Sequence, residues 1–166
     1  LKFGSGLINN RFAFEGRLSN IQSDGYIDRA SADLRSYFLS GAYYGKKTVI
    51  KAITFGGKEI TYQAWYGTPR ARLDGDLQNI LNSGRTYNFY TYDNQVDNYK
   101  QDHYQLHITH EFSKKLVANF SLHYTEGEGY FEEYKRDEDL SDYKLENVGT
   151  QSSSDIIRRR WLDNDF

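Results

Sequence analysis

Residues 101–125 read QDHYQLHITHEFSKKLVANFSLHYT, and this stretch decides the fold. Apolar and polar residues alternate along it on both sides of a short turn at 113–115. In a β-strand this period of two places all the even positions on one face, so residue 112 is expected to face residue 116. The pattern predicts a β-hairpin with one apolar face. That face carries Tyr104, Leu106, Ile108, His110, Phe112, Leu116, Ala118, Phe120, Leu122 and Tyr124.

A second hairpin is predicted at 35–55 (RSYFLSGAYYGKKTVIKAITF), with its turn at 45–47. Lys51 stands between Val49 and Ile53 and marks the odd face as the polar one, which leaves Ile50 and Ala52 on the apolar side. If residue 43 pairs with residue 48 around a four-residue turn, Tyr43 also lies on the apolar face. Both hairpins therefore have tight turns and two-faced strands.

The connections between the predicted strands are unequal in length. Those at 45–47 and 113–115 are short, whereas those at 20–32, 57–100 and 127–155 are long and polar. Strands of about 9–11 residues with short turns at one end are typical of an outer-membrane β-barrel, because a tilted strand of that length crosses the hydrocarbon layer. Aromatic residues at the ends of the apolar stripes match its interfacial girdles. Six strands are predicted, at 7–19, 33–44, 48–56, 101–112, 116–126 and 156–166.

Composition narrows the function classes. Apolar residues make up 38% of the 166, and no run approaches the ~18–20 apolar residues of a spanning helix. There is no Cys, which removes disulfides and thiolate metal sites, and the net charge of −2 gives no support for a nucleic-acid partner. Catalytic motifs and phosphate loops are absent. The sequence predicts a protein that is not an enzyme and needs no cofactor.

Several short stretches resemble the barrel of TonB-dependent outer-membrane receptors. Residues 4–10 (GSGLINN), 16–19 (GRLS) and 23–26 (SDGY) look like strands of that family entering a surface loop. Other stretches resemble its Bacteroidetes branch. These are 64–69 (AWYGTP), 92–99 (YDNQVDNY), 129–134 (GYFEEY) and 158–164 (RRRWLDN).

This resemblance implies an all-β segment, spanning 1–166, of a transmembrane barrel of about 22 strands. The plug domain and TonB box of the family are not present in the sequence, which begins at Leu1 and has no Met, so an internal piece of a longer protein is expected. Six strands also fall short of the ~8 that close the smallest bacterial barrels. The implied partners are outer-membrane lipid, the TonB complex through the absent plug, and an extracellular small-molecule or oligomeric ligand. The implied function is uptake of a scarce nutrient at the outer membrane of a Gram-negative cell, such as an iron chelate (siderophore), haem, a cobalamin or an oligomer.

Aromatic residues crowd the predicted loops 57–100 and 127–155. They offer large, rigid surfaces that suit flat ligands or sugars, although packing of the loops against each other would use the same residues. Trp65 and Tyr66 are the leading ligand contacts, because the bend at 67–69 (GTP) would hold them rigidly at a loop tip. The other candidates are Tyr90, Tyr92, Tyr130 and Phe131.

Three histidines share the polar face of the hairpin at 101–125. The register places His107 opposite Ser121 and His123 opposite Gln105, so His103 and His107 are diagonal neighbours of His123, ~7–8 Å away. Such rings could bind one metal or haem iron, or simply form hydrogen bonds along the wall.

A soluble β-barrel that binds a ligand or carbohydrate is the alternative function. In that case the apolar stripe would point into a closed core and the polar face would meet water. In the membrane form the apolar stripe meets lipid, and the polar face lines a wide lumen.

Overall fold

The computed structural model describes residues 1–68 and 84–165, which form one antiparallel sheet with its strands in sequence order. The all-β meander predicted from the alternation is confirmed, but the sheet has seven strands and not six. A short 3₁₀ helix, Leu140–Tyr143, precedes the last strand. The strands are β1 (Lys2–Ile8), β2 (Phe12–Ser23), β3 (Ala32–Tyr44), β4 (Thr48–Tyr62), β5 (Val96–Ser113), β6 (Leu116–Asp139) and β7 (Ser153–Asp165).

The additional strand comes from a turn inside the predicted strand 7–19. Asn9 and Asn10 have φ values of 48° and 54°, and β1 pairs with β2 directly across them, with Ile8 opposite Phe12. Two successive residues with positive φ are typical of the type I′ turn, which asparagine tolerates because its side chain can form local hydrogen bonds. The Asn-Asn pair is therefore the local signal for this hairpin.

The two predicted hairpins form with small changes at their turns. Tyr43 pairs with Ile50 and not with residue 48, a shift of two positions that keeps Tyr43 on the predicted face. The register is also irregular between Glu111 and Ser113, so residue 112 does not face residue 116. The predicted pairs of His107 with Ser121 and of Gln105 with His123 are confirmed.

The strands run well beyond their predicted loop-side ends, through glycines that by themselves indicate loops. Gly56 and Gly57 pair with β3 and β5 inside β4, and Gly127 and Gly129 pair with β5 inside β6. A side chain at Gly127 or Gly129 would collide with Tyr99 across the ladder. Strands β4, β5 and β6 therefore extend into the predicted loops 57–100 and 127–155, to Tyr62, Val96 and Asp139. The last strand begins at Ser153, and residue 166 lies outside the described part.

The sheet has one apolar face, which is largely exposed. It carries the residues of the predicted stripes, which are odd-numbered on β3 and even-numbered on β4, β5 and β6, together with the aligned residues of β2, such as Phe14 beside Gly41. Phe120 and Leu122 in mid-strand are 56% and 53% exposed, and only four apolar side chains are buried in the described residues. The chain exposes 12,168 Å², whereas a compact monomer of 19.4 kDa exposes about 8,500 Å². This face lacks a covering layer within residues 1–68 and 84–165.

The opposite, polar face is a network of side-chain hydrogen bonds. His107 Nδ1 lies 3.0 Å from Ser121 Oγ, and Thr109 donates to Asn119 at 2.7 Å. Lys51 Nζ lies 4.0 Å from a carboxylate oxygen of Glu15. These groups satisfy one another across strands, so this face does not need an apolar cover.

The three tight turns lie on one side of the sheet and are staggered. One row of paired residues crosses the sheet through Phe12, Tyr43, Ile50, Ile108 and Phe120. Counted along the strands from this row, the tight turn lies about two residues away in β1–β2, three to four in β3–β4 and six in β5–β6. The turns of β1–β2 and β5–β6 therefore differ by four residues, or about 14 Å, along the strands, and they lie four strand spacings of about 4.8 Å each apart across the sheet. The strands therefore incline by about 35° to the perpendicular of the line of the turns, which is the tilt of strands in a membrane barrel. The described residues contain no helix that is long and apolar enough to cross a membrane.

Candidate functional site

The connection between β4 and β5 is anchored by buried amides. Gln63, Asn88 and Gln95 are each at most 2% exposed. The Asn88 amide donates to the backbone oxygens of Asp28 (2.9 Å) and Gln63 (3.2 Å), and its own oxygen accepts from Tyr90 N at 3.0 Å. Gln95 Nε2 donates to Gln63 Oε1 at 3.3 Å. Because buried polar groups are costly unless they are paired, these bonds fix residues 84–95 onto the ends of β4 and β5.

An aromatic cluster stands beside these amides, formed by Trp65, Tyr66, Phe89 and Tyr90. Tyr66 lies 5.0 Å from Phe89 and 5.6 Å from Tyr90 between ring centroids, and Trp65 meets Tyr90 edge-on at 6.4 Å. Trp65, Tyr66 and Phe89 are nevertheless 63%, 59% and 59% exposed. Rings that are fixed by one another and still face outward are typical of a ligand-binding surface.

A cleft of about 440 Å³ lies next to the cluster, between the connection and β6. This volume is within the range of small-molecule sites. Its charged groups are Glu133, Lys135 and Arg136. Glu133 is paired with Arg158 and, at 3.5 Å, with Lys135, whereas Arg136 lies 5.9 Å from the Tyr134 ring. The cleft therefore combines flat aromatic surface with positive charge, which suits a flat ligand that carries acidic groups.

Glu132 ties the connection to β6 and β7. Its Oε1 accepts from Tyr92 (2.7 Å) and Asn94 (2.6 Å), and its Oε2 accepts from Arg159 Nε at 2.7 Å. Burial favours a higher pKa for Glu132, but these three hydrogen bonds outweigh it and lower the pKa below the ordinary value. The carboxylate is therefore charged at neutral pH and holds Tyr92 and Arg159 in place.

Tyr90 and Tyr92 are neutral at physiological pH, because their surroundings raise the pKa of each phenol. Burial raises the pKa of Tyr90, and the hydrogen bond to Glu132 raises the pKa of Tyr92. Neither phenol is activated to a phenolate that would bind a metal directly. Their rings and hydroxyl groups can offer stacking and hydrogen bonds to a ligand.

The structure brings together only part of the predicted set of ligand contacts. Trp65, Tyr66 and Tyr90 join the aromatic cluster, and Tyr92 lines the adjacent cleft. Tyr130 packs on Trp161 at 5.1 Å, outside the cleft. The six candidates are Trp65, Tyr66, Tyr90, Tyr92, Tyr130 and Phe131, and they do not converge on one site.

Tyr130 and Phe131 lie in strand β6 and not in a loop, because the pairing of β6 with β5 and β7 continues past its glycines. Phe131 pairs with Asp97 and Arg160, and as the neighbour of Tyr130 in a strand it points to the opposite face. Pro69, which was expected to hold the bend after Tyr66, lies outside the described residues.

The three predicted histidines do not form a metal site. The rings of His103 and His123 stack at 5.8 Å, and His103 also stacks on Phe55 at 4.5 Å. His107 instead contacts Ser121 at 3.0 Å and Gln105 at 3.2 Å. Across residues 1–68 and 84–165, no group of three or more His, Asp or Glu side chains is arranged to hold a metal ion.

Sequence reasoning missed three parts of the site. Phe89 belongs to the aromatic cluster and could have been found from its place beside Tyr90. Arg136 lies in strand β6, in a part of the sequence that was predicted to be a loop. The anchoring role of Glu132 had no local signal, since its partners Tyr92 and Asn94 are about 40 residues away in sequence.

Comparison with known proteins gives a fold and not a family. No protein-family model and no curated protein matches the sequence. The sheet is an antiparallel meander that is similar in fold to a fragment of a barrel receptor. One solved structure with this fold is the ferric-catecholate import receptor Fiu of E. coli K12 in its closed form, at 13% identity and a TM-score of 0.61. The match covers 99% of this chain and 24% of that receptor, so the chain spans about a quarter of its length.

Proposed function

We propose that this chain is a segment of the barrel of an outer-membrane active transporter of the TonB-dependent receptor class. The observation that carries the proposal is the exposed apolar face, bounded by Tyr37, Tyr104 and Tyr124 on its loop side. Lipid is the solvent that such a face requires, and the tilt of about 35° is the one that membrane barrels use. The likeness to part of Fiu supports the same class.

The long connections are proposed to face the cell exterior. They lie at the end of the sheet opposite the three tight turns, and outer-membrane barrels have short turns on the periplasmic side and longer loops outside. The polar face, with His107 and Lys51, then lines the lumen. Coupling to the TonB complex is assigned to a part of the protein beyond this segment.

The proposed substrate is a flat, acidic nutrient complex that contacts the aromatic cluster from outside the cell. The cluster supplies stacking surface, and Arg136 supplies charge at the adjacent cleft. A ferric catecholate, the class of compound that Fiu imports, has this chemistry; haem and other acidic chelates share it. A soluble carbohydrate-binding barrel is less well supported, because its apolar face would have to be covered.

Binding to cells that express the full-length protein tests this proposal. The Trp65→Ala, Tyr66→Ala double variant is expected to lose about tenfold in affinity for a labelled ferric catecholate, because each lost aromatic contact weakens binding by about 0.5–1.5 kcal/mol. Tyr26→Ala is the matched control, since Tyr26 is also exposed, lies in another connection at the same end and is outside the cluster. Equal affinity of the double variant and the control would contradict the site, and failure of the wild-type protein to bind any of the acidic chelates would contradict the substrate class.

A further inference from the structure

Three cationic side chains lie side by side at the upper border of the apolar face. Arg35 of β3 is opposite Lys58 of β4, and Lys58 is opposite Lys100 of β5, in one row. Like charges directly opposite each other in a sheet are destabilising. The repulsion within this row therefore destabilises the folded state, and a bound anion would reduce that repulsion.

The neighbouring carboxylates form direct ion pairs only with the outer two cations, although Asp33 is also near enough to attract Lys58. Arg35 pairs with Asp33 at 2.9 Å, and Lys100 pairs with Asp102 at 2.8 Å, with Glu128 facing Lys100 from β6. No carboxylate of the described residues forms an ion pair with the exposed Lys58, which is the middle of the row. An anion seated there would contact Lys58 and have a second cation on either side.

The row stands at a definite height above the apolar band. Arg35 lies two residues beyond Tyr37, and Lys100 lies four residues beyond Tyr104, towards the long connections. Two residues of strand are about 7 Å. With the strands inclined, Tyr37 and Tyr104 stand at about one level, and the row of cations rises above it from Arg35, two residues of strand away, to Lys100, four residues away. The layer above that level is where the phosphates of lipid headgroups reside.

A cleft of about 320 Å³ connects the cations to the apolar band. It is lined by Arg35, Lys58 and Lys100 at its polar end and by Leu18 and Tyr37 towards the band. Asp102 also lines it, and its carboxylate is paired with Lys100. A free phosphate would use only the polar end. A molecule with a phosphate group and an apolar chain matches both ends at once.

We propose that Arg35, Lys58 and Lys100 form a site for the phosphate group of an anionic lipid, with its chain along Leu18 and Tyr37. This inference rests on the proposed placement of the barrel in the outer membrane. Lys58 makes the main contact, and Arg35 and Lys100 add charge from the neighbouring strands. The lipid would fix the orientation and height of this edge of the barrel.

Binding of a phosphorylated lipid to the purified full-length protein in detergent micelles tests the site. Lipid A is the probe, phosphatidylethanolamine is the zwitterionic comparison, and native mass spectrometry counts the bound lipids. Lys58→Gln is expected to weaken lipid A binding about fivefold, and Lys58→Glu more strongly, because one cation near a lipid surface contributes about that factor. Lys46→Glu is the control, since Lys46 makes the same charge change at the opposite end of the sheet.

The outcomes separate this site from the proposed function. Unchanged lipid A binding in Lys58→Glu, or equal binding of the zwitterionic lipid by the wild-type protein, would overturn the site while leaving barrel insertion intact. Displacement of lipid A by inorganic phosphate at a similar concentration would overturn the lipid in favour of a free anion. Failure of the wild-type protein to insert into membranes would instead contradict the proposed function. Restored binding in Lys58→Arg supports a contact that depends on charge.

Discussion

The two halves of the β5–β6 hairpin share one unbroken pairing but differ in what stabilises them. In the lower half, residues 104–111 and 117–124, the even face is largely apolar; it is exposed along β6, and half-buried along β5 except at Tyr104. In the upper half, residues 96–102 and 126–139, the same face carries Lys100, Glu126 and Glu128, and then the buried Glu132. The register is continuous across the boundary. The β5–β6 ladder is therefore alike on both sides of the boundary, although β6 also pairs with β7 only in the upper half. The side chains decide which solvent each half requires.

This difference separates two sources of stability. The lower half depends on an apolar surrounding that residues 1–68 and 84–165 do not supply. The upper half is held by its own polar contacts, above all those of Glu132 with Tyr92, Asn94 and Arg159. The boundary coincides with Tyr104 and Tyr124, whose rings stack at 6.1 Å. Tyrosines at such a border match the interfacial girdle of a membrane barrel.

The largest expected effect is from a charge on the apolar face of the lower half. Phe120→Arg should reduce the free energy of unfolding by about 2–4 kcal/mol in a lipid bilayer, because the guanidinium would lie at hydrocarbon depth. Urea unfolding of the full-length protein in vesicles measures it. Ser121→Arg, on the polar face of the same strand, is the control and should be mild. Similar losses in both variants would favour the soluble barrel.

Loss of the Glu132 charge should open the upper half while leaving the lower half unchanged. Glu132→Gln is expected to cost about 2 kcal/mol locally, since hydrogen bonds to charged groups contribute about 1.5–3 kcal/mol. Hydrogen exchange of residues 84–95 should therefore become about 30-fold faster. Exchange in 104–111 serves as the internal control, and acceleration there as well would show that the two halves are not independent.

The pH dependence of the same contact has a definite sign. Because the folded state lowers the pKa of Glu132 below its ordinary value of 4.5, its stabilisation is fully present above that value. It is lost as the pH falls from 4.5 through the lower folded pKa. Protection of residues 84–95 should thus be constant between pH 7 and 5 and decline only in more acidic solution. Glu132→Gln should abolish this dependence, and a decline that persists in the variant would assign it to another group.

The glycines of the upper half give a smaller, local effect. Gly127→Val should destabilise the full-length protein by about 1–2 kcal/mol, because the new side chain meets the Tyr99 ring. A double-mutant cycle with Tyr99→Ala isolates this contact. The cost of Gly127→Val should fall in the Tyr99→Ala background. If the cost is the same in both backgrounds, Gly127 is needed for its backbone and not for the space that it leaves.

The smallest effect is expected on the polar face of the lower half. Lys51→Gln removes the pair with Glu15, which is partly exposed and 4.0 Å long. Exposed pairs contribute about 0–1 kcal/mol, so the unfolding free energy should be nearly unchanged. A loss as large as that of Phe120→Arg would mean that this face is buried in the complete protein.

The sequence by itself determined the two faces of the two predicted hairpins and the positions of their tight turns. Alternation with a period of two is local, and Lys51 or His107 shows which face is polar without knowledge of any partner. The pairs of His107 with Ser121 and of Gln105 with His123 followed from this alternation and the short turn alone. Asn9-Asn10 carried an equally local signal for the first hairpin, because both residues tolerate the positive φ of a tight turn.

Only the tertiary structure decided where the strands end and which aromatic residues meet. Gly127 and Gly129 indicate a loop when they are read alone, but they continue the strand because Tyr99 on β5 fills the space beside them. Likewise, Phe89 and Tyr90 reach Tyr66 because Asn88 bonds to Gln63 from 25 positions away. Such contacts depend on the closure of long connections, and their free energy does not reside in any local pattern of residues.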